Sequence, residues 1–204
     1  MTDTDKPLRE EDVDPDPIVE FQRWLDLAWE AGEPQANAMT LATASPDGSP
    51  SARMVLLHVA DQRGFTFYTN YESAKGTELT ENPKAALVFY WPLLHRQVRA
   101  VGVVRRATRR EAQEYWAQRP VGNRIAAAAS AQSRPLPSRR TLEEAVAWLE
   151  ARYGGEGPPL PAFWGGYRLT PAMIEFWQGR IHRLHDRLRF TRQRRGWRVE
   201  RLAP

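Results

Sequence analysis

The sequence predicts a mainly β fold with peripheral helices, an α+β protein built as one domain, and three observations carry that expectation. Short apolar or alternating runs recur between turn residues, beginning with Ala38-Met39-Thr40-Leu41-Ala42-Thr43-Ala44 and the turn Ser45-Pro46-Asp47-Gly48. Helical spacing is confined to isolated stretches. The C-terminal segment from Arg183 onward alternates residue by residue, with Leu184, Asp186, Leu188 and Phe190 on one face and Arg183, His185, Arg187 and Arg189 on the other. With 204 residues, 42% hydrophobic and 26% charged, the chain is long enough to bury a core of its own. An acidic, proline-containing arm over residues 1–16 is expected to be flexible, ahead of a single domain over 17–204.

Residues 18–31 place Ile18, Phe21, Trp24, Leu25 and Ala28 at helical spacing, so an amphipathic helix caps the core. Strands are expected over 38–44, 51–59 and 65–69, joined by turns as an antiparallel meander. A short helix over 73–81 stops at Asn82-Pro83. Strands over 85–90 and 97–104 follow, and five strands with few exposed edges suggest a barrel. Thr108 with Glu111, and Thr141 with Glu144, both have capping-box spacing and mark helix starts. Between them the alanine-rich residues 125–131 predict a closely packed helix, and 133–138 a loop. The glycine- and proline-rich stretch 154–159 ends the third helix, and strands over 167–170, 173–177, 183–191 and 197–202 complete the chain.

Composition excludes several classes. The absence of cysteine rules out disulfides, thiolate metal sites and a cysteine nucleophile, and agrees with a reducing, cytoplasmic setting. No apolar run approaches the ~18 residues of a membrane helix. His182 and His185 have no carboxylate cluster beside them, so no metal site is expected. No glycine-rich phosphate loop and no Ser-His-Asp set is present. Net charge is +4, yet residues 180–201 hold nine arginines against two acids, which points to an anionic ligand. Nucleic acid is not expected, because no helix-turn-helix, zinc-finger or RNA-binding motif accompanies those arginines.

The segment Glu175-Phe176-Trp177-Gln178-Gly179-Arg180-Ile181-His182-Arg183-Leu184-His185-Asp186-Arg187 concentrates Trp, His and Arg, as a site for an anionic aromatic ligand would. Taken alone, its basic face also reads as the solvated side of an edge strand. A flavin mononucleotide site needs cations and hydroxyls for its phosphate and apolar cover for its ring. Arg53, Tyr68, Thr69 and Lys75 are candidates, with Lys75 in the first turn of a helix whose N-terminus attracts phosphate. Tyr115 and Arg119, four apart on a helix, share a face. Each of these also has a plain structural reading as a solvated charge or a core ring.

In combination the chain resembles the pyridoxine (pyridoxamine) 5′-phosphate oxidase family. The matching strings are Arg53-Met54-Val55-Leu56-Leu57, Phe67-Tyr68-Thr69-Asn70, Asn82-Pro83, Arg96-Gln97-Val98, Arg119-Pro120, Gln132-Ser133, Phe163-Trp164-Gly165-Gly166-Tyr167, Glu175-Phe176-Trp177-Gln178-Gly179, Arg183-Leu184-His185-Asp186-Arg187 and Glu200-Arg201-Leu202-Ala203-Pro204. They run in order from about residue 16 to the last. The resemblance implies an FMN-binding split β-barrel and a homodimer with active sites at the interface. It implies oxidation of pyridoxamine 5′-phosphate or pyridoxine 5′-phosphate to pyridoxal 5′-phosphate, with O2 as acceptor. FMN contacts would fall on Arg53, Met54, Val55, Leu56, Leu57, Tyr68, Thr69, Lys75, Gln97, Gln132, Ser133, Trp177 and Arg187. Substrate contacts would fall on His58, Tyr115, Arg119, Asn123, Arg183, Leu184 and His185, with Arg183 and His185 as the catalytic pair.

Four positions depart from the family pattern. His58 stands where a phosphate-binding Lys is usual, Ala74 where an Arg precedes the flavin-phosphate Lys, Asn123 in place of a Ser, and Ile181 in place of an acidic or polar residue. The basic, tyrosine-containing N-terminal arm of some members, which precedes the region of resemblance, is not expected here. Two other functions fit the same residues: a related flavin oxidase acting on a phenazine precursor, and a non-enzymatic split-barrel protein binding flavin, haem or nucleic acid.

Overall fold

A computed structural model describes residues 7–204. It has five α-helices, α1 (Pro17–Glu30), α2 (Ala74–Glu81), α3 (Arg109–Gln118), α4 (Val121–Ala129) and α5 (Arg139–Tyr153). Among the described residues there are nine strands: β1 (Ala38–Ala44), β2 (Pro50–Leu56), β3 (Val59–Asp61), β4 (Gly64–Asn70), β5 (Lys84–Trp91), β6 (Arg96–Arg106), β7 (Trp164–Gln178), β8 (Asp186–Arg192) and β9 (Trp197–Arg201). The expectation of a mainly antiparallel sheet with peripheral helices is met: the strands form one sheet in which every pairing is antiparallel. No described helix is long and apolar enough to cross a membrane.

The strand order β2-β1-β5-β6-β7-β4-β3 explains how this sheet closes. Its two outermost strands, β2 and β3, are consecutive in the chain, with only Leu57 and His58 between them. A sheet whose ends are joined by two residues has to roll up. At the seam the Leu57 N–H donates to Asn37 O (2.9 Å) and the His58 N–H donates to Thr66 O (2.8 Å), so adjacent residues tie to opposite sides of the gap. The expected meander of the first strands is therefore corrected. β2 ends at Leu56 and pairs only with β1, whereas β4 pairs with β3 and β7.

β7 is the long member of the sheet. The two strands expected around Pro171 are one continuous strand, flanked by β6 from Tyr167 to Gln178. On its other side, Trp164 to Leu169 pair with β4, and Met173 to Gln178 pair with β8. The change of partner coincides with a β-bulge, where Val101 pairs with Met173 and Gly102 with Pro171, leaving Ala172 unmatched on β6. Gly102 permits this close approach, because a Cβ there would lie 2.0 Å from Thr170 O.

Alternation along the strands turns Met39, Leu41, Leu87, Phe89, Val98, Ile174, Phe176, Leu188 and Phe190 inward. α1 plugs this core with Phe21 and Trp24. The Phe21 ring meets Phe65 edge-on at 4.9 Å, and Trp24 meets Phe176 at 5.1 Å. The helix starts where the chemistry predicts, with Asp16 accepting from the Ile18 N–H (2.9 Å) and Pro17 in the first turn. The Thr108–Glu111 capping box is formed in both directions. That at Thr141 is not: the N-cap of α5 is Ser138, three residues earlier, which accepts from the Thr141 N–H. The alanine-rich helix runs from Val121 to Ala129, earlier than expected, and packs on α5.

Of the expected arm, Met1 to Lys6 lie outside the described residues. From Pro7 the chain lies against the C-terminal strands. Leu8 and Val13 are buried, the Leu8 N–H donates to Asp186, and Arg201 pairs with Glu10 at 2.7 Å.

Candidate active site

The expected site residues fall into three clusters, two of them contiguous. The first surrounds Lys75, in the first turn of α2 behind its N-cap Ser73. The Lys75 ammonium is buried and donates to Gln132 Oε1 (2.8 Å), Thr69 Oγ1 (3.1 Å) and Ser73 Oγ (3.1 Å). Burial, and secondarily the nearby Arg53 guanidinium, push it down to about 8. Arg53 on β2 is held by Glu78 (3.0 Å) and by the hydroxyls of Thr43 and Ser51. Two cations and one carboxylate thus converge among hydroxyls and an amide. Ser133 follows Gln132 in an exposed turn with a positive φ of 71°.

The second cluster is aromatic and adjoins the first through the neighbours Tyr68 and Thr69. Tyr68 stacks on Tyr115 at 4.1 Å and lies nearly parallel to Trp164 at 5.5 Å. His58, at the barrel seam, packs its ring 4.3 Å from Tyr115, and burial lowers its pKa. Burial, then Glu111 and Tyr115, push the Tyr68 hydroxyl up to about 12, so it stays a neutral donor. The Arg119 guanidinium lies 4.8 Å over Trp164 and 5.8 Å over both Tyr115 and Trp116, and donates to Asn123 O (3.1 Å). Its buried Nε has no hydrogen-bond partner. A cavity of about 450 Å³ runs between the clusters, lined by Tyr68, Thr69, Arg119, Asn123, Gln132 and Trp164 among others.

The third cluster lies at the far end of β7. Gln97 and Arg187 flank Trp177 in register, on β6 and β8 respectively. The His185 ring lies 4.7 Å from Trp177, and its Nδ1 accepts from the Arg180 N–H at 3.0 Å. The pleated ladder expected to align Arg183, His185 and Arg187 is corrected here. Ile181 to Arg183 form a 3-10 turn, with His182 and Arg183 both at positive φ, and β8 starts only at Asp186. A turn rather than strand alternation carries Arg183 and His185. Leu184 is 70% exposed.

Between Gly165, opposite Thr69, and Trp177 lies roughly 40 Å of strand. The third cluster is therefore remote from the first two along the sheet. The residues between Arg53 and His58 also divide: Met54 (63% exposed) and Leu56 (53%) face out, Val55 is half-buried, and the Leu57 side chain belongs to the core. Four residues that sequence reading gave no role belong to these clusters. Trp164 floors the Arg119 cage, Asn70 adjoins the cavity, Glu78 holds Arg53, and Glu175 binds Arg187. Glu175 stands two residues before Trp177, hence on the same face of β7; that spacing was the available signal. Among the described residues, no three His, Asp or Glu side chains converge as a metal site would require.

A rolled antiparallel sheet with this seam, carrying a buried cation cluster beside an aromatic cavity, is a split β-barrel of the kind seen in flavin-binding proteins. The solved structure of PhzG from Burkholderia lata, in complex with tetrahydrophenazine-1-carboxylic acid, superimposes with a TM-score of 0.92 at 34% identity, covering 98% of this chain and all of that one. A pyridoxamine 5′-phosphate oxidase-related, FMN-binding protein from Nostoc punctiforme shares the fold, with a TM-score of 0.72 at 17% identity over 90% of this chain and 97% of its own. Residues 25–153 match the pyridoxamine 5′-phosphate oxidase family, and residues 164–204 match the pyridoxine 5′-phosphate oxidase C-terminal dimerisation region. The pyridoxine/pyridoxamine 5′-phosphate oxidases of Cupriavidus necator and Rubrobacter xylanophilus are 54% and 53% identical, each over 97% of this chain and 93% and 91% of their own lengths. The chain belongs to the pyridoxamine 5′-phosphate oxidase family.

Proposed function

We propose that this chain is an FMN-dependent oxidase that converts pyridoxamine 5′-phosphate, pyridoxine 5′-phosphate or both to pyridoxal 5′-phosphate, passing electrons to O2 with formation of hydrogen peroxide. One observation carries the reading. A single cavity is lined by Thr69 and Gln132, which hold the buried Lys75 ammonium behind them, and by a second cation, Arg119, caged by aromatic rings. Two phosphorylated aromatic molecules, cofactor and substrate, call for that pairing of charge and ring surface. The residues fit FMN: Lys75, Arg53, Thr69 and Gln132 supply donors for its phosphate, Ser133 adds a hydroxyl, and Gln97, Trp177 and Arg187 supply an amide, a ring face and a cation for the flavin.

Bound FMN would supply the hydride acceptor for this reaction. The protein contributes position and charge. Arg119, Tyr115, His58 and Asn123 anchor the substrate phosphate. Arg183, Leu184 and His185 hold the pyridine end for orientation and proton handling, Arg183 from the turn at Ile181 to Arg183 and His185 from just beyond it. The remoteness of the Trp177 cluster supports a site shared between two copies of the chain, each supplying one end of β7, and the match of residues 164–204 to a dimerisation region agrees with it.

The test is formation of pyridoxal 5′-phosphate with oxygen uptake, comparing the two substrates from pH 6 to 9. A yellow protein releasing FMN on denaturation, and product from at least one substrate, is expected; no product from either rejects the reading. A second reading, oxidation of a tetrahydrophenazine carboxylate, is favoured by the likeness to PhzG and by a burial-weakened His58 at the phosphate end. Turnover of that substrate in the same assay, with none of the pyridine phosphates, would select it.

A further inference from the structure

We infer that Glu175 is a positioning residue for the flavin site, setting both the orientation and the net charge of Arg187; the inference rests on the FMN reading above. Glu175 is 3% exposed on the outward face of β7, a place where a lone carboxylate would be costly. Its partners are specific. Glu175 Oε1 accepts from Arg187 Nε (3.0 Å) and forms an ion pair with Nη2 at 2.9 Å, and Oε2 accepts from Arg99 Nη2 (2.7 Å).

The register shows that this is a directed choice. Arg189 is the residue directly opposite Glu175 on β8, yet Arg189 turns to Glu200 at 3.0 Å. Glu175 reaches the diagonal Arg187 instead, the residue opposite Trp177. Arg187 is further fixed by Nη1 donating to the carbonyl of Ala203 (3.0 Å). Of five guanidinium N–H groups, Nε and one on Nη1 are committed to hydrogen bonds, and the two terminal nitrogens keep N–H groups for a ligand beside the Trp177 ring. Arg187 is 27% exposed, so those two are reachable.

Two consequences follow for the proposed flavin contact. Glu175 removes most of the freedom of a long side chain before the ligand arrives. It also cancels one of two adjacent positive charges, so Arg99 and Arg187 present one net cation rather than two. Without the carboxylate, Arg187 keeps only the Ala203 bond, and the site becomes more positive toward a flavin that gains negative charge on reduction.

The experiment compares wild type with Glu175→Gln, stripped of flavin and titrated with FMN, followed by the midpoint potential of the bound flavin. The expected result is FMN binding weakened about tenfold, as for loss of a charge-assisted bidentate contact, with a potential shifted to more positive values. Unchanged affinity and potential in a folded Glu175→Gln protein overturns the role. Weaker binding with an unchanged potential also overturns it, marking a merely structural residue. If Glu175→Gln does not fold, Glu175→Asp gives the decision: it keeps the charge but withdraws it by one methylene, and only an FMN affinity reduced severalfold supports the role. Wild type that takes up no FMN rejects the flavin reading itself, and this inference with it.

Discussion

Lys75 places a proton balance at the centre of the proposed phosphate site. In the folded chain its ammonium titrates at about 8, against 10.5 ordinarily, mainly because it is buried. Between those values the unfolded chain holds a proton that the folded chain has released, so stability of the apoprotein rises with pH across that window. FMN binding has the opposite trend, because a phosphate dianion favours the charged amine. Thermal melts of apoprotein from pH 7.5 to 10 should show wild type gaining relative to Lys75→Met, while FMN affinity of wild type falls over the same range; parallel curves for the two proteins would refute the assignment. His58 offers a second test. Burial lowers its pKa, leaving it mostly neutral near pH 7. His58→Lys should lower KM for the phosphorylated substrate severalfold at pH 8, with kcat within about twofold, since added attraction to an unreacting phosphate is uniform binding. An unchanged KM would remove His58 from the phosphate end. Residue identities were legible in the sequence, but their geometry was not. Arg183 and His185 were joined to Arg187 by strand alternation, and the positive φ of His182 and Arg183, which no residue type there announces, breaks that strand into a turn.

Among the elements, β6 and β7 carry the architecture, and their joint feature is the bulge at Gly102. Gly102→Ala would drive a methyl into the Thr170 carbonyl, a backbone atom that cannot rotate away. We expect a loss of roughly 1–3 kcal/mol, read as a fall of ~2–4 °C in Tm per kcal/mol for a chain of this size. An unaffected melt would mean that the bulge relaxes freely. Most strands and all five helices were readable from periodicity and turn chemistry. The exceptions have local causes. Pro171 reads as a strand breaker, yet it sits at the bulge where β7 exchanges β4 for β8 and pairs with neither of them. Thr141 has capping-box spacing, but Ser138 takes the N-cap position and accepts from the Thr141 N–H, which draws Thr141 inside the helix.

For the whole molecule, what the sequence could not convey was separation: the residues expected to surround one flavin lie at the two ends of β7. A site shared between two copies makes a quantitative expectation. Lys75→Met and Arg187→Met proteins, each inactive alone, should on subunit exchange form mixed dimers in which one site carries both lesions and the other neither. Equal mixing should restore about a quarter of wild-type activity. No recovery, with exchange verified by mass, would place both clusters in one subunit's site. The same strand governs the order in which the protein can be made. β6 needs β7 on its open side, but α3, α4 and α5 are synthesised between them. During translation an 11-residue strand edge therefore waits unpaired for on the order of 3–10 s. Chains released before Trp164 would carry that edge permanently, as a template for pairing with one another.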